Sequence, residues 1–200
     1  MDLSSIINTT LALLALINPI SKIFIISTIA RETGHREVRH IALKATGVAM
    51  VILLMFLFLG NFLLADVFRV ELYSFKIAGG LVLVYRGFEA LNKGIFFELN
   101  YKQKLEDLSI VPLASPMIAG PATITAAVSF PVQFGMAITV ISIIIALIIN
   151  LLVMLVSPFI SDMLDRHNIM GALIRITGLI VATIGVQMML DGLGAFLVQL

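Results

Sequence analysis

The chain has 200 residues, 60% of them hydrophobic and only 12% charged, with a mean hydropathy of +1.10. Such a profile excludes a disordered chain and argues strongly against a soluble globular domain. A net charge of +1 and no interleaving of aromatic with basic residues leave no footprint for nucleic acid. The chain has no Cys, so disulfide, thiolate and iron–sulfur chemistry are excluded, and the Met1 end lacks the basic stretch and cleavage site of a signal peptide.

A hydrocarbon core of about 30 Å needs roughly 20 helical residues per crossing, so six crossings use about 120 to 130 residues and leave only short connections. Uncharged apolar stretches place six spans near 3–30, 43–65, 74–93, 109–130, 134–160 and 169–190, so that 1–200 reads as one all-α transmembrane domain. Near the middle of the first span stands Asn18-Pro19-Ile20-Ser21. Proline removes a backbone donor and clashes with the preceding turn, so this helix is expected to kink or open there. Lys22 follows at once, the most conspicuous charge within a span, and three roles stay open for it: gating a pore, pairing with a carboxylate, or snorkelling to the headgroups.

The third span is broken up by Lys76, Arg86 and Glu89. Arg86 and Glu89 are three apart and expected to pair on one helical face, while Glu89 is also the candidate to carry a coupling proton. Gly79-Gly80 here, and Gly178 in the last span, are expected to let helices approach closely. From Leu108 to Ser161 the chain carries no charge, and Phe130-Pro131-Val132-Gln133-Phe134-Gly135 reads as the turn of a helical hairpin. The fourth span contains Pro112, Pro116 and Gly120-Pro121-Ala122-Thr123, which predicts a second broken helix.

Basic residues are unevenly distributed. Arg31, Arg36, Arg39, Lys44, Arg86, Lys93, Lys102, Lys104, Arg166 and Arg175 lie in or near the connections after spans one, three and five, against only Arg69 and Lys76 toward the other side. This bias predicts both termini on the non-cytoplasmic side of the membrane. His35, His40 and His167 fall in the same connections without metal-ligand spacing, so a surface role is expected and no metal.

The two halves look alike. Lys76-Ile77-Ala78-Gly79 lies over Arg175-Ile176-Thr177-Gly178 at an offset of 99, Asn18-Pro19 over Gly120-Pro121 at 102, and Asp66 over Asp162. Repeat one then covers about 1–95 and repeat two about 108–193. A repeat with an odd number of crossings inserts its second copy upside down, an architecture that recurs in secondary transporters.

Opened backbone in hydrocarbon survives only where protein, water or ligand satisfies it, so matching breaks in the two halves point to a transport site. The half-helix after each break offers N–H groups to a carboxylate, and the half before it ends in carbonyls that suit an ammonium. The candidate substrate-binding residues are Asn18, Pro19, Ile20 and Ser21 at the first break, with Ser115, Ala119, Gly120, Pro121, Ala122, Thr123 and Thr125 at the second. Their small, hydrogen-bonding character implies a small polar solute. Lys22, Arg86 and Glu89 are the candidates for gating or coupling.

At these residues the chain resembles the MarC family of integral membrane proteins. The likeness rests on Asn18-Pro19-Ile20, on Lys76 to Gly80, on Val111-Pro112-Leu113-Ala114-Ser115-Pro116-Met117-Ile118-Ala119-Gly120-Pro121, on Arg175 to Gly178, and on Val186-Gln187-Met188-Met189-Leu190-Asp191-Gly192. Ser21, Lys22, Phe24 and Ala122 depart from the family's usual residues. The resemblance implies a six-helix inner-membrane carrier of small neutral amino acids such as glycine, alanine or serine, driven by an ion gradient. Its implied partners are that amino acid, a coupling proton or sodium ion, and the lipid bilayer; the sequence leaves a homo-oligomer open, and no cofactor is implied.

Other classes leave weaker traces. A channel or a non-transporting membrane scaffold is the alternative, with Lys22 as a plug. An enzyme is not expected, since no Ser-His pair, Asp dyad or HExxH-like set lies within the spans, and a nucleotide-binding P-loop is absent.

Overall fold

The computed structural model describes residues 2–94, 109–166 and 170–198. Lys102, Lys104 and His167 lie outside the described residues, as do the side chains of Arg31, His35, Asp162 and Arg166. Among the described residues every element is helical and none is a strand. In chain order they are α1 (Leu3–Ile17), α2 (Pro19–Thr33), α3 (His35–Asn61), a π-helical segment (Phe62–Val67), α4 (Leu72–Lys93), a second π-helical segment (Ser109–Ile118), α5 (Pro121–Phe134), α6 (Met136–Arg166) and α7 (Met170–Leu197).

Among the described residues three stretches, Arg36–Gly60, Met136–Ile160 and Gly171–Leu197, are long and apolar enough to cross a membrane, and α1 with α2 forms a fourth if the bent pair is one span. The two remaining expected spans differ for identifiable reasons. Helix α4 carries Lys76, Arg86, Glu89 and Lys93 within its 22 residues, and the fourth expected span is divided between a π-helical segment and the 14-residue α5. Large apolar side chains such as Val51, Phe58, Leu81, Leu152, Phe159 and Leu179 are exposed on several helices, the surface that a chain solvated by lipid presents.

Both expected breaks are present, built from the same parts. Asn18 ends α1 in the left-handed region (φ 52°), its N–H donating to Leu14 O at 2.8 Å, and Pro19 opens α2 at an angle of 43° to α1. Asn tolerates this conformation because its short polar side chain adds little steric penalty. At the second break Gly120 is the N-cap and Pro121 the first residue of α5. Proline fits there because its missing N–H would have no intrahelical acceptor in any case.

Three residues after each cap stands a hydroxyl. Ser21 Oγ donates to Asn18 O at 2.7 Å, and Thr123 Oγ1 lies 2.9 Å from Gly120 O. Thr123 Oγ1 also accepts from Gly120 N–H at 2.9 Å and lies 2.8 Å from Ile118 O, so one side chain ties the two sides of the break together.

The chain entering the second break is π-helical rather than a half α-helix. Pro112 and Pro116 remove donors one turn apart, and the wider winding appears in the bond from Ala119 N–H to Ala114 O at 2.8 Å. The hairpin turn is tighter than expected. Helix α5 runs through Pro131 to Phe134, and the chain reverses at Gly135 alone, whose φ of 89° a side chain would strain.

Packing interlocks the two halves. Helices α1 and α2 both lie along α6, while the second π-helical segment and α5 lie along α3. Between them runs a core that includes Leu13, Ile17, Leu53, Ile118, Leu147 and Met154. Helix α4 lies along α7, antiparallel, because Gly80 meets Gly185 and Gly87 meets Gly178, while Gly192 meets Tyr73. Glycines recur every seventh residue on both helices, which holds them on one stripe and lets the backbones approach.

A Cβ on Gly80 would stand 2.5 Å from Gly185 O and 3.1 Å from Met189 N, contacts with backbone that cannot step aside. Gly80→Ala is therefore expected to lower stability by about 1–3 kcal/mol, while Gly47→Ala, with nothing within 4 Å, leaves it unchanged or raises it; melting of the purified protein in detergent measures both. Thr123→Val leaves buried groups at the break unpaired and is expected to cost about 1–3 kcal/mol in the same assay, with Thr123→Ser retaining most of the stability.

Candidate functional site

The two breaks open onto one cavity. Asn18, Ser21 and Lys22 line it from the first, Gly120, Pro121, Ala122 and Thr123 from the second, and Arg86 reaches it from α4. The free volume is about 60 Å³, several times the roughly 10–15 Å³ that one water needs on this measure. Its remaining walls are apolar, with Leu16, Ile17, Val82, Leu83 and Val181 among them. Polar groups thus converge from two distant parts of the chain on a pocket that is otherwise greasy, as small-molecule sites do.

Lys22 decides the electrostatics. Its side chain is only 1% exposed, and Nζ donates to Ile17 O, to Asn18 O at 3.3 Å and to Met117 O at 2.8 Å. The stem folds back toward the start of α2, the direction in which helical side chains lean. It therefore does not snorkel and meets no carboxylate among the described residues; it ties the carbonyl end of α1 to the second break. Met117 is the next-to-last residue of the π-helical segment, so its carbonyl stands at the end of a helix that the second break interrupts.

Arg86 and Glu89 pair as expected, at 2.8 Å, and Lys93 adds a second contact to Glu89 at 3.1 Å. Arg86 lines the cavity, whereas Glu89 stands outside its lining in this ion-pair cluster. Other expected residues are placed elsewhere. Pro19 is half-buried and shapes the bend, Ile20 is 47% exposed on the outer face, and Ser115 is half-buried before Pro116 in the π-helical segment. Ala119 is buried in the core.

Thr125 lines a second cavity, of about 400 Å³, together with Lys76, Ser129, Gln133, Gln187 and Asp191. Gln187 Nε2 donates to Asp191 Oδ1 at 2.7 Å. Both cavities are lined by Leu16 and Ala122, so these side chains stand between them. Among the described residues no group of His, Asp or Glu is placed to hold a metal ion, and His40 is exposed.

Sequence reasoning missed the apolar walls and Met117. The walls carry no signal, because an apolar residue facing a cavity reads like one facing lipid. Met117 carried none either, since its carbonyl matters only through Lys22, 95 positions away.

A family model described as MarC family integral membrane protein matches residues 3–197. The chain is 31% identical to a UPF0056 membrane protein of Pyrococcus horikoshii over 198 residues, 99% of this chain and 98% of that one. It is 30% identical to a UPF0056 membrane protein of Aquifex aeolicus, over 92% of this chain and 89% of the relative, and 29% identical to one of Bacillus subtilis, over 96% of each. No solved structure matches. With helices apolar enough to cross a bilayer, two proline breaks at the expected residues and a family match over nearly its whole length, the chain belongs to the MarC family of integral membrane proteins.

Proposed function

We propose that this protein is a secondary transporter that binds a small polar solute between its two broken helices. The observation that carries the reading is the meeting of Asn18 and Ser21 with Gly120 and Pro121, far apart in sequence, at one cavity. The half-helix that opens at Pro121 supplies oriented N–H groups to this pocket without the cost of reorganising solvent. The solute is of amino-acid size, and the family resemblance implies glycine, alanine or serine.

An inverted pair of three-helix repeats, crossing the inner membrane six times with both termini outside the cytoplasm, is the architecture that goes with this reading. It is supported by the matched cap, proline and hydroxyl of the two breaks, and by the antiparallel seam of α4 with α7, the third helix of each half. The larger cavity serves as a vestibule, with Leu16 and Ala122 as the partition between it and the site. Chemistry on the solute has no part in this mechanism. A proton or sodium gradient supplies the driving force, and the basic connections fix the orientation.

The test is counterflow of radiolabelled solute into liposomes that hold the purified protein and an excess of unlabelled solute. Saturable uptake is expected. Asn18→Gly retains the left-handed backbone but removes the amide, and is expected to lower the ratio of maximal rate to KM about tenfold, the equivalent of one hydrogen bond to a charged group. Uptake that rises linearly with concentration would instead identify a channel.

A further inference from the structure

We infer that the solute of this site is a small carboxylate without an ammonium group, because Lys22 already holds the place that a substrate ammonium would take. The inference rests on the carrier reading above and names its substrate class.

An ammonium has three N–H donors and accepts nothing. Those of Lys22 are directed at Ile17 O, Asn18 O and Met117 O, the carbonyls at the end of α1 and before the second break. These are the negative ends of the two interrupted helices, where a zwitterion would have to place its own cation. The side chain is 1% exposed and covalently tethered, so a solute ammonium would have to displace a cation that is never free to leave.

The charges around the cavity agree with this. Of the two cationic side chains in its lining, Arg86 is already paired with Glu89, which leaves the charge of Lys22 to be balanced. A zwitterion adds no net charge to offset it, whereas a monoanion balances it. For the carboxylate there are the N–H groups of Ala122 and Thr123, which stand in the first turn of α5, where no carbonyl of the same helix can reach them. The rest of the pocket is small and apolar, lined by Leu83, Val181 and their neighbours, and suits a short hydrocarbon stub bearing at most a hydroxyl. Glycolate and lactate, the hydroxy counterparts of glycine and alanine, have this chemistry.

The experiment compares these pairs in counterflow at neutral pH, against protein-free vesicles that report passive permeation of the acids. Saturable exchange of labelled lactate or glycolate is expected, with unlabelled alanine or glycine competing at least about tenfold less well, the ratio that a 1.4 kcal/mol difference gives. Exchange of glycine or alanine without glycolate or lactate would overturn the inference and leave the carrier standing. Exchange of neither pair, by protein that is monodisperse and helical, would overturn both. Lys22→Ala vacates the three carbonyls and is expected to shift the preference from lactate toward alanine. A Lys22→Ala protein that folds and retains the original preference would count against the assignment, and the comparison in the unaltered protein stands whether or not that variant folds.

Discussion

Backbone freed by proline inside a hydrocarbon layer has no water to turn to, and every other feature of this molecule follows from how that need is met. An unpaired amide group there costs several kcal/mol. Pro19 and Pro121 each interrupt a helix where flanking apolar sequence would otherwise continue it. The chain answers with its own side chains: Ser21 and Thr123 reach the cap carbonyls, and Lys22 gathers the carbonyls of Ile17, Asn18 and Met117. The breaks are thus closed by hydrogen bonds of defined geometry, and in that arrangement they line one cavity.

A site between two halves also needs a frame that holds the halves in register. The seam of α4 with α7 supplies it, since glycines at Gly80, Gly87, Gly178 and Gly185 bring backbone against backbone. In lipid there is no hydrophobic gain from burying one apolar helix on another, so close van der Waals contact must provide the attraction, and small residues make it available. The seam also touches the site directly. A Cβ on Gly79 would lie 2.8 Å from Pro121 Cβ, which places the first residue of α5 against α4. Position at the seam therefore sets position at the break.

Much of this was legible in the sequence because it is local. Asn18-Pro19 and Gly120-Pro121 announce their breaks through the missing donor, Gly79-Gly80 and Gly178 announce close approach through the missing side chain, and Arg86 with Glu89 needs only helical spacing. What was not legible depends on partners remote in the chain. Lys22 reads like a snorkelling residue until Met117, 95 positions away, is seen beside it. Thr125 and Thr123 look equivalent by composition, yet two positions on a helix point to different sides, and they face different cavities. Ile20 was included for its place in the motif, but the same helical geometry turns it outward. Pro131 looked like a turn residue, yet it sits in the last turns of α5, and the reversal falls to Gly135, which alone among these residues accepts its positive φ freely.

The placement of Lys22 explains why a buried cation is tolerated without a counter-ion. Insertion of Lys at the centre of a span costs about 2.5–3.5 kcal/mol, and hydrogen bonds to carbonyls, each worth about 1.5–3 kcal/mol to a charged group, offset part of that penalty. Two of the three acceptors, Ile17 and Asn18, belong to the same break as Lys22 and move with it; Met117 belongs to the other. In the proposed carrier, parting the two breaks to expose the site to either side would remove one bond and retain two. The closed and parted states would then differ at this point by about 1.5–3 kcal/mol, within the few kcal/mol over which a minor conformer remains populated and a bound solute can shift the balance. In that carrier a carboxylate beside the ammonium would compensate for the acceptor lost as Met117 withdraws, and occupancy of the cavity would be coupled to separation of the two halves.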